Sequence, residues 1–213
     1  MIERDGRAFA SYDEAKAQVL FARFVTNGTW QCPTLTVLRM GGLLNDPAFA
    51  SDERLKYLPM RIRSSWDPKS GYLKNMTAED WGIQRSNFKE ELNLVGRMHR
   101  AGVNILAGTD TMNPYCFPGF SLHDELALLV EAGLSPMEAL QASTKNAARF
   151  MGQLDRRGTI EPGKIADLVL LDRDPLADIH NTRSVRAVVL GGKLMPRAAL
   201  DAMLAQAEAS ASN

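Results

Sequence analysis

Cysteine and histidine are scarce in this chain of 213 residues, with two of the first and three of the second. Cys32 and Cys116 are too few for a disulfide scaffold and lack the close pairing of a zinc knuckle, so they read as reduced, structural thiols. Net charge is lacking as well: Lys and Arg number 25 and Asp and Glu 25, so no global field draws in a nucleic-acid backbone or an anionic membrane. Long apolar runs are absent. Stretches such as Leu126 to Val130 and Leu168 to Leu171 fall far below the roughly 18 residues that a membrane-spanning helix needs. Asp13, Glu14, Lys16 and Arg23 belong to a charged opening stretch with no apolar block of the kind a secretory signal carries. The expected location is the cytoplasm, with neither nucleic acid nor membrane as partner. A glycine-rich phosphate loop, a G-x-S-x-G elbow and an H-E-x-x-H helix are also missing, which removes the commonest nucleotide, serine-hydrolase and metalloprotease readings.

What is there alternates between helix and strand. Ser11 followed by Glu14 reads as a capping box opening a helix to about Asn27, with Leu20, Phe21 and Phe24 at helical spacing. Thr29 to Val37 has the β-branched and aromatic content of a buried strand. Residues 38–75 are broken by Gly41, Gly42, Pro47, Pro59, Pro68 and Gly71 and read as an excursion from the scaffold. Thr77 and Asp80 then cap a long amphipathic helix that stops at Gly102, and Val103 to Ala107 forms a short strand running into Gly108-Thr109-Asp110. Ser121 with Asp124 caps the next helix, and Ser135-Pro136-Met137-Glu138 the one after it. Such alternation with helix-length crossovers implies a parallel sheet covered by helices, with ligand sites at the carboxyl ends of the strands. After residue 155 the texture changes to short strands and turns, including Glu161 to Lys164, Asp167 to Asp172 and Ala187 to Leu190, then a last helix over about Pro196 to Ala209 and a tail expected to fray.

Asp110 is the first candidate for chemistry. A carboxylate at the carboxyl end of a parallel strand, after a glycine that permits close approach, can bind a cation or accept a proton. It can equally serve as a turn residue or helix cap, and the tripeptide alone leaves both readings open. His123, in the first turn of the following helix, can contact a substrate as a neutral imidazole or act as a helix-start hydrogen-bonding residue. His99 and His180 read as structural, and Glu125 and Glu131 as solvated or packed surface charges.

Five blocks carry a resemblance: Gly108-Thr109-Asp110, Ser121 to Leu126, Ala132 to Leu140, Ala142 to Ala148, and Gly158 to Asp172. In this order and spacing they resemble the carboxyl half of the amidohydrolase superfamily, in the branch that holds imidazolonepropionase and the metal-dependent Xaa-Pro dipeptidases. The resemblance implies an α/β fold, the carboxyl-terminal portion of a (β/α)8 TIM-type barrel with part of a small β-sandwich. Residues 1–154 would form the partial barrel, with Thr29 to Val37 and Val103 to Thr109 as its seventh and eighth strands, residues 155–195 the sandwich portion, and 196–213 the terminal helix and tail. It further implies a divalent metal, zinc, held in part by Asp110, which would relay a proton from a metal-activated hydroxide to the leaving nitrogen of an amide or cyclic amide, with His123 as a substrate contact. The family's His-x-His pair and its ligands after the fourth, fifth and sixth strands have no counterpart here, and one carboxylate cannot hold a catalytic zinc. The expectation is therefore a hydrolase fragment needing a homo-oligomer or a complementing amino-terminal half. The alternatives are a catalytically inactive half-barrel acting as a partner subunit, and a small-molecule binding module using residues 38–75 as a lid.

Overall fold

The computed structural model describes residues 8–67, 69 and 74–212. Pro68 and Gly71 of the expected excursion, and the charged residues 1–7, lie outside that range.

Helix α1, Glu14–Thr26, starts one turn later than the Ser11 box predicts, because Asp13 is its cap: the Asp13 carboxylate accepts the Lys16 N–H. The Ser11 hydroxyl instead donates to the Ala8 carbonyl. A carboxylate is a strong acceptor for the orphan amides of a first turn, and its charge suits the helix dipole. Strand β1 is only Trp30–Gln31, and strand β2 only Asn104–Ile105; the two pair in parallel, Trp30 opposite Asn104 and Gln31 opposite Ile105. The strand expected over Thr29 to Val37 is cut short by Thr34, whose φ of 49° turns the chain, and helix α2, Leu35–Leu43, follows directly.

The segment read as an irregular excursion is mostly helical. After α2 come α3, Pro47–Ala50, a 3-10 helix, Glu53–Tyr57, and α4, Met60–Ser65. Its prolines open helices: Pro47 is at the first helical position of α3, and Pro59 is the N-cap of α4. Met40, Leu44, Leu58 and Trp66 from this segment bury against Trp81, Tyr115 and Phe117 to make a core of their own. Helix α5, Ala78–Arg100, opens with the expected capping box between Thr77 and Asp80. Its Phe88, Leu92, Val95 and Met98 join Leu35, Ile105, Leu126 and Leu129 in the main core. Gly96 lets α5 lie against the backbone of Ala132, where a Cβ would overlap the carbonyl oxygen.

Helix α6, Ser121–Glu131, is followed by α7, Pro136–Ser143, which carries the expected Ser135–Glu138 box, and by α8, Lys145–Phe150. Ser121 is no cap: it lies inside α6, whose N-cap is Phe120 with no side-chain bond, and its hydroxyl is buried without a partner among the described residues. Asp124, the expected partner, is drawn off by arginines. Beyond α8, β3 (Leu168–Leu171), β4 (Val185–Leu190) and β5 (Lys193–Pro196) form an antiparallel sheet in chain order. β5 is an addition to the sequence reading. Helix α9, Arg197–Ala211, runs past the point where fraying was expected, since Ala211 is buried and Lys56 pairs with Glu208 at 3.1 Å, fixing the helix to the 3-10 turn. Asn213 lies outside the described residues. Among the described residues no helix is long and apolar enough to cross a membrane.

Candidate functional site

The carboxyl ends of β1 and β2 lie side by side, so the turns that follow them share one rim. Leu106 continues the pairing by donating to the Gln31 carbonyl at 2.8 Å. Beyond it, Gly108 packs so tightly on the Cys32 sulfur that a Cβ at this position would overlap it. The close approach that this glycine permits is therefore that of the neighbouring turn. Asp110 follows in the left-handed region, φ 46°, and its carbonyl accepts the Asn113 side-chain N–H at 2.9 Å. An aspartate tolerates that conformation better than most residues. The Asp110 carboxylate is exposed and takes no hydrogen bond or ion pair from the described residues.

His123 lies one helix along, half-buried in the first turn of α6, with Nδ1 buried and unpartnered among the described residues. Burial, with Arg183 adding to it against the opposing Asp124, holds its pKa below the ordinary imidazole value, so the neutral ring dominates at pH 7. No hydrogen bond joins His123 to Asp110. His99 is half-buried and stands 3.3 Å from Glu138, while exposed His180 bonds Asp178 at 2.8 Å.

The next two residues of α6 are the ones that sequence reasoning misjudged. Asp124 is 2% exposed and accepts three guanidiniums: Arg39 of α2 at 3.0 Å, Arg54 of the 3-10 helix at 2.8 Å and Arg183 at 2.6 Å. Burial opposes its ionised form, yet Arg54 and Arg39 hold its pKa below the usual carboxylate range. Arg54 is also forked onto Asp52 and stacks over the Phe117 ring. Glu125, read as a surface charge, is fully buried, and its two oxygens accept the backbone N–H groups of Leu35 at 3.0 Å and Thr36 at 2.8 Å. Burial raises its pKa to about 7, against the pull of those two amides. The available signal was spacing: Ser121, Glu125, Leu128 and Leu129 share one helical face, and that face is the buried one.

Among the described residues no three His, Cys, Asp or Glu side chains converge where they could hold a metal ion. A cavity of about 230 Å³ opens at the other end of β2, lined by His99, Asn104, Glu138, Gln141 and Asn146 among others, and includes neither Asp110 nor His123.

Residues 69–195 match the model of the amidohydrolase family. The chain is 33% identical over 126 residues to ochratoxinase of Aspergillus niger, an alignment covering 57% of this chain and 25% of that protein. It is 46% identical over 127 residues to imidazolonepropionase of Pyrobaculum arsenaticum, covering 59% of this chain and 30% of the relative. The chain thus matches between a quarter and a third of the length of these curated relatives. Among solved structures, the bottromycin amidohydrolase superposes with a TM-score of 0.71 at 23% identity, over 86% of this chain and 40% of that one. That likeness shows the fold, an α/β arrangement of the TIM-barrel type.

Proposed function

The chain belongs to the amidohydrolase family, and from that premise we propose that it supplies the carboxyl-terminal share of a metal-dependent hydrolase, two strands of a (β/α)8 barrel and part of a small β-sandwich. The substrate in this reading is an amide, a cyclic amide or a dipeptide, cut at a carbon–nitrogen bond in the cytoplasm. The observation that carries it is the position of Asp110, an exposed carboxylate free of ion pairs at the carboxyl end of a parallel strand, where α/β folds bind their ligands. From there it can accept a proton from an attacking water and return it to the leaving nitrogen. His123, half-buried and neutral, is suited to a polar contact with the substrate.

A divalent cation, zinc in this proposal, usually takes three protein ligands in a catalytic site. The described residues do not make up such a centre by themselves. Asp110 would provide one ligand, and the rest would come from a complementing amino-terminal half or another copy of the chain. The test is calorimetric titration with zinc chloride together with turnover assays on cyclic amides and Xaa-Pro dipeptides, with and without a complementing amino-terminal half. Unchanged zinc affinity and unchanged turnover in Asp110→Ala would refute the proposal.

A second reading, a catalytically inactive half-barrel that completes a partner subunit, is favoured by the outer edge of β1. The ladder uses the Gln31 backbone for β2 and leaves the opposite edge at Trp30 without a strand among the described residues. Light scattering decides: a monodisperse monomer across concentrations excludes self-pairing along that edge.

A further inference from the structure

Glu125 and Thr36 have no part in the chemistry proposed above, yet they join the two turns of the rim. Glu125 belongs to the helix after β2, and its carboxylate caps the helix after β1 through the Leu35 and Thr36 amides. Thr36 is itself buried, and its hydroxyl donates to the Thr109 carbonyl at 3.2 Å. Thr109 immediately precedes Asp110, and its own hydroxyl lies 2.7 Å from that of Thr111 on the other side. The connections run in a ring: from α6 to the start of α2, from α2 to the turn after β2, and along that turn back into α6. Asp110 sits in the ring as the first of the positive-φ residues of this turn, ahead of Met112 and Tyr115.

We infer that Thr36 and Glu125 are positioning residues for Asp110, setting where its carboxylate stands on the rim through the Thr36–Thr109 hydrogen bond. The inference rests on the reading of Asp110 as the working carboxylate, but the geometric link is tested apart from it. A helix start is a rigid reference, and a hydroxyl locked on it by a buried, doubly engaged carboxylate transmits that rigidity to the turn it touches. The same hydroxyl also faces the Glu125 carboxylate and the Cys116 thiol, so it stands where the capping carboxylate and the Thr109 carbonyl meet, and Thr36→Val removes the donor while conserving shape.

The test is hydrogen–deuterium exchange on the full chain, comparing wild type with Thr36→Val, Thr36→Ser and Glu125→Gln. Loss of one hydrogen bond predicts that Thr36→Val speeds exchange across residues 108–116 roughly fivefold, with β3 to β5 unchanged and with Thr36→Ser restoring the wild-type rate. Glu125→Gln should speed the Leu35 and Thr36 amides and, through them, the same turn. Exchange in 108–116 unaltered by Thr36→Val, or equally fast in Thr36→Ser, overturns the inference. Should Thr36→Val not fold, Glu125→Gln is read at the same amides, and an unaltered 108–116 turn overturns it as well. A zinc titration of wild type and Asp110→Ala, each with the complementing amino-terminal half, judges the role of Asp110 separately: equal affinity refutes the cation reading whatever the exchange data show.

Discussion

Arg183 donates to Asp124 across 2.6 Å, and this bond, beside Ile179 in the main core, ties the approach to β4 to the α/β body. Asp124 simultaneously holds Arg39 and Arg54, so a single buried carboxylate joins α2, the 3-10 helix after α3, α6 and the approach to β4. Removing it takes a partner from three guanidiniums, two of them mostly buried, of which Arg54 keeps a second carboxylate, Asp52. Asp124→Ala should therefore cost about 3 kcal/mol, the low end for breaking a buried pair because Arg183 is half-exposed. Arg183→Ala, which leaves the carboxylate two partners, should cost about 1 kcal/mol or less. Urea unfolding of the two variants checks the order. Equal losses would show that Arg183, and not the whole cluster, carries the connection.

Adjacent Asp124 and Glu125 titrate in opposite senses. Burial raises the folded pKa of Glu125 to about 7 from its ordinary 4.5. The folded state thus holds the proton more tightly than the unfolded one, so stability from this group is full below pH 4.5 and falls as pH rises to about 7. The loss amounts to about 3 kcal/mol. Asp124, held low, contributes stability above the ordinary carboxylate pKa that disappears as the pH falls. The wild-type optimum should lie on the acid side of neutrality. Urea denaturation at a series of pH values from 4 to 8 should show the decline toward neutral pH in wild type and not in Glu125→Gln. A parallel decline in both proteins would remove Glu125 as its source.

The legible parts of the sequence were those whose signals are local. The Thr77–Asp80 and Ser135–Glu138 boxes each close within one turn, and both helices start where the motifs place them. The parallel β1–β2 pair and the rim position of Asp110 also followed from the order of segments. What stayed hidden depended on distant partners. Helix α2 begins at Leu35 because an acceptor 90 residues away takes its first free amide, so Thr29 to Val37 read as strand. Asp124 looked like half of a capping box because nothing near it announces Arg39, Arg54 or Arg183. Residues 38–67 looked loop-like for a different reason: helices of four to nine residues are too short to show a periodicity, and only their shared core with Trp81 and Phe117 defines them.

The contact between Gly108 and Cys32 predicts a coupled pair of substitutions. Gly108→Ala pushes a methyl group into the Cys32 sulfur and should destabilise the chain by about 1–3 kcal/mol. Cys32→Ala removes the obstacle and should be mild alone, because Cys32 is exposed and unpaired. Combined, the two should recover at least about 1 kcal/mol relative to the sum of the singles. Thermal unfolding of the four proteins completes the cycle. Additive effects would mean that the two turns are not held together at this point.

Asp110 offers the sharpest separation of a turn residue from a functional one. Its backbone is left-handed, φ 46°, and its carboxylate has no partner among the described residues. Asn is at home in this conformation and differs from Asp chiefly in charge, so Asp110→Asn should change unfolding free energy by less than about 0.5 kcal/mol. Asp110→Ala lacks that tolerance and should lose about 1 kcal/mol from the backbone alone. If Asp110 is only a turn residue, Asn preserves every property and Ala perturbs stability. If it is the working carboxylate, Asn and Ala both weaken zinc binding and abolish hydrolysis by the complemented protein while only Ala lowers stability. Measuring unfolding and zinc affinity on the same two variants separates the outcomes, because the side-chain charge and the backbone conformation are lost together in one variant and singly in the other.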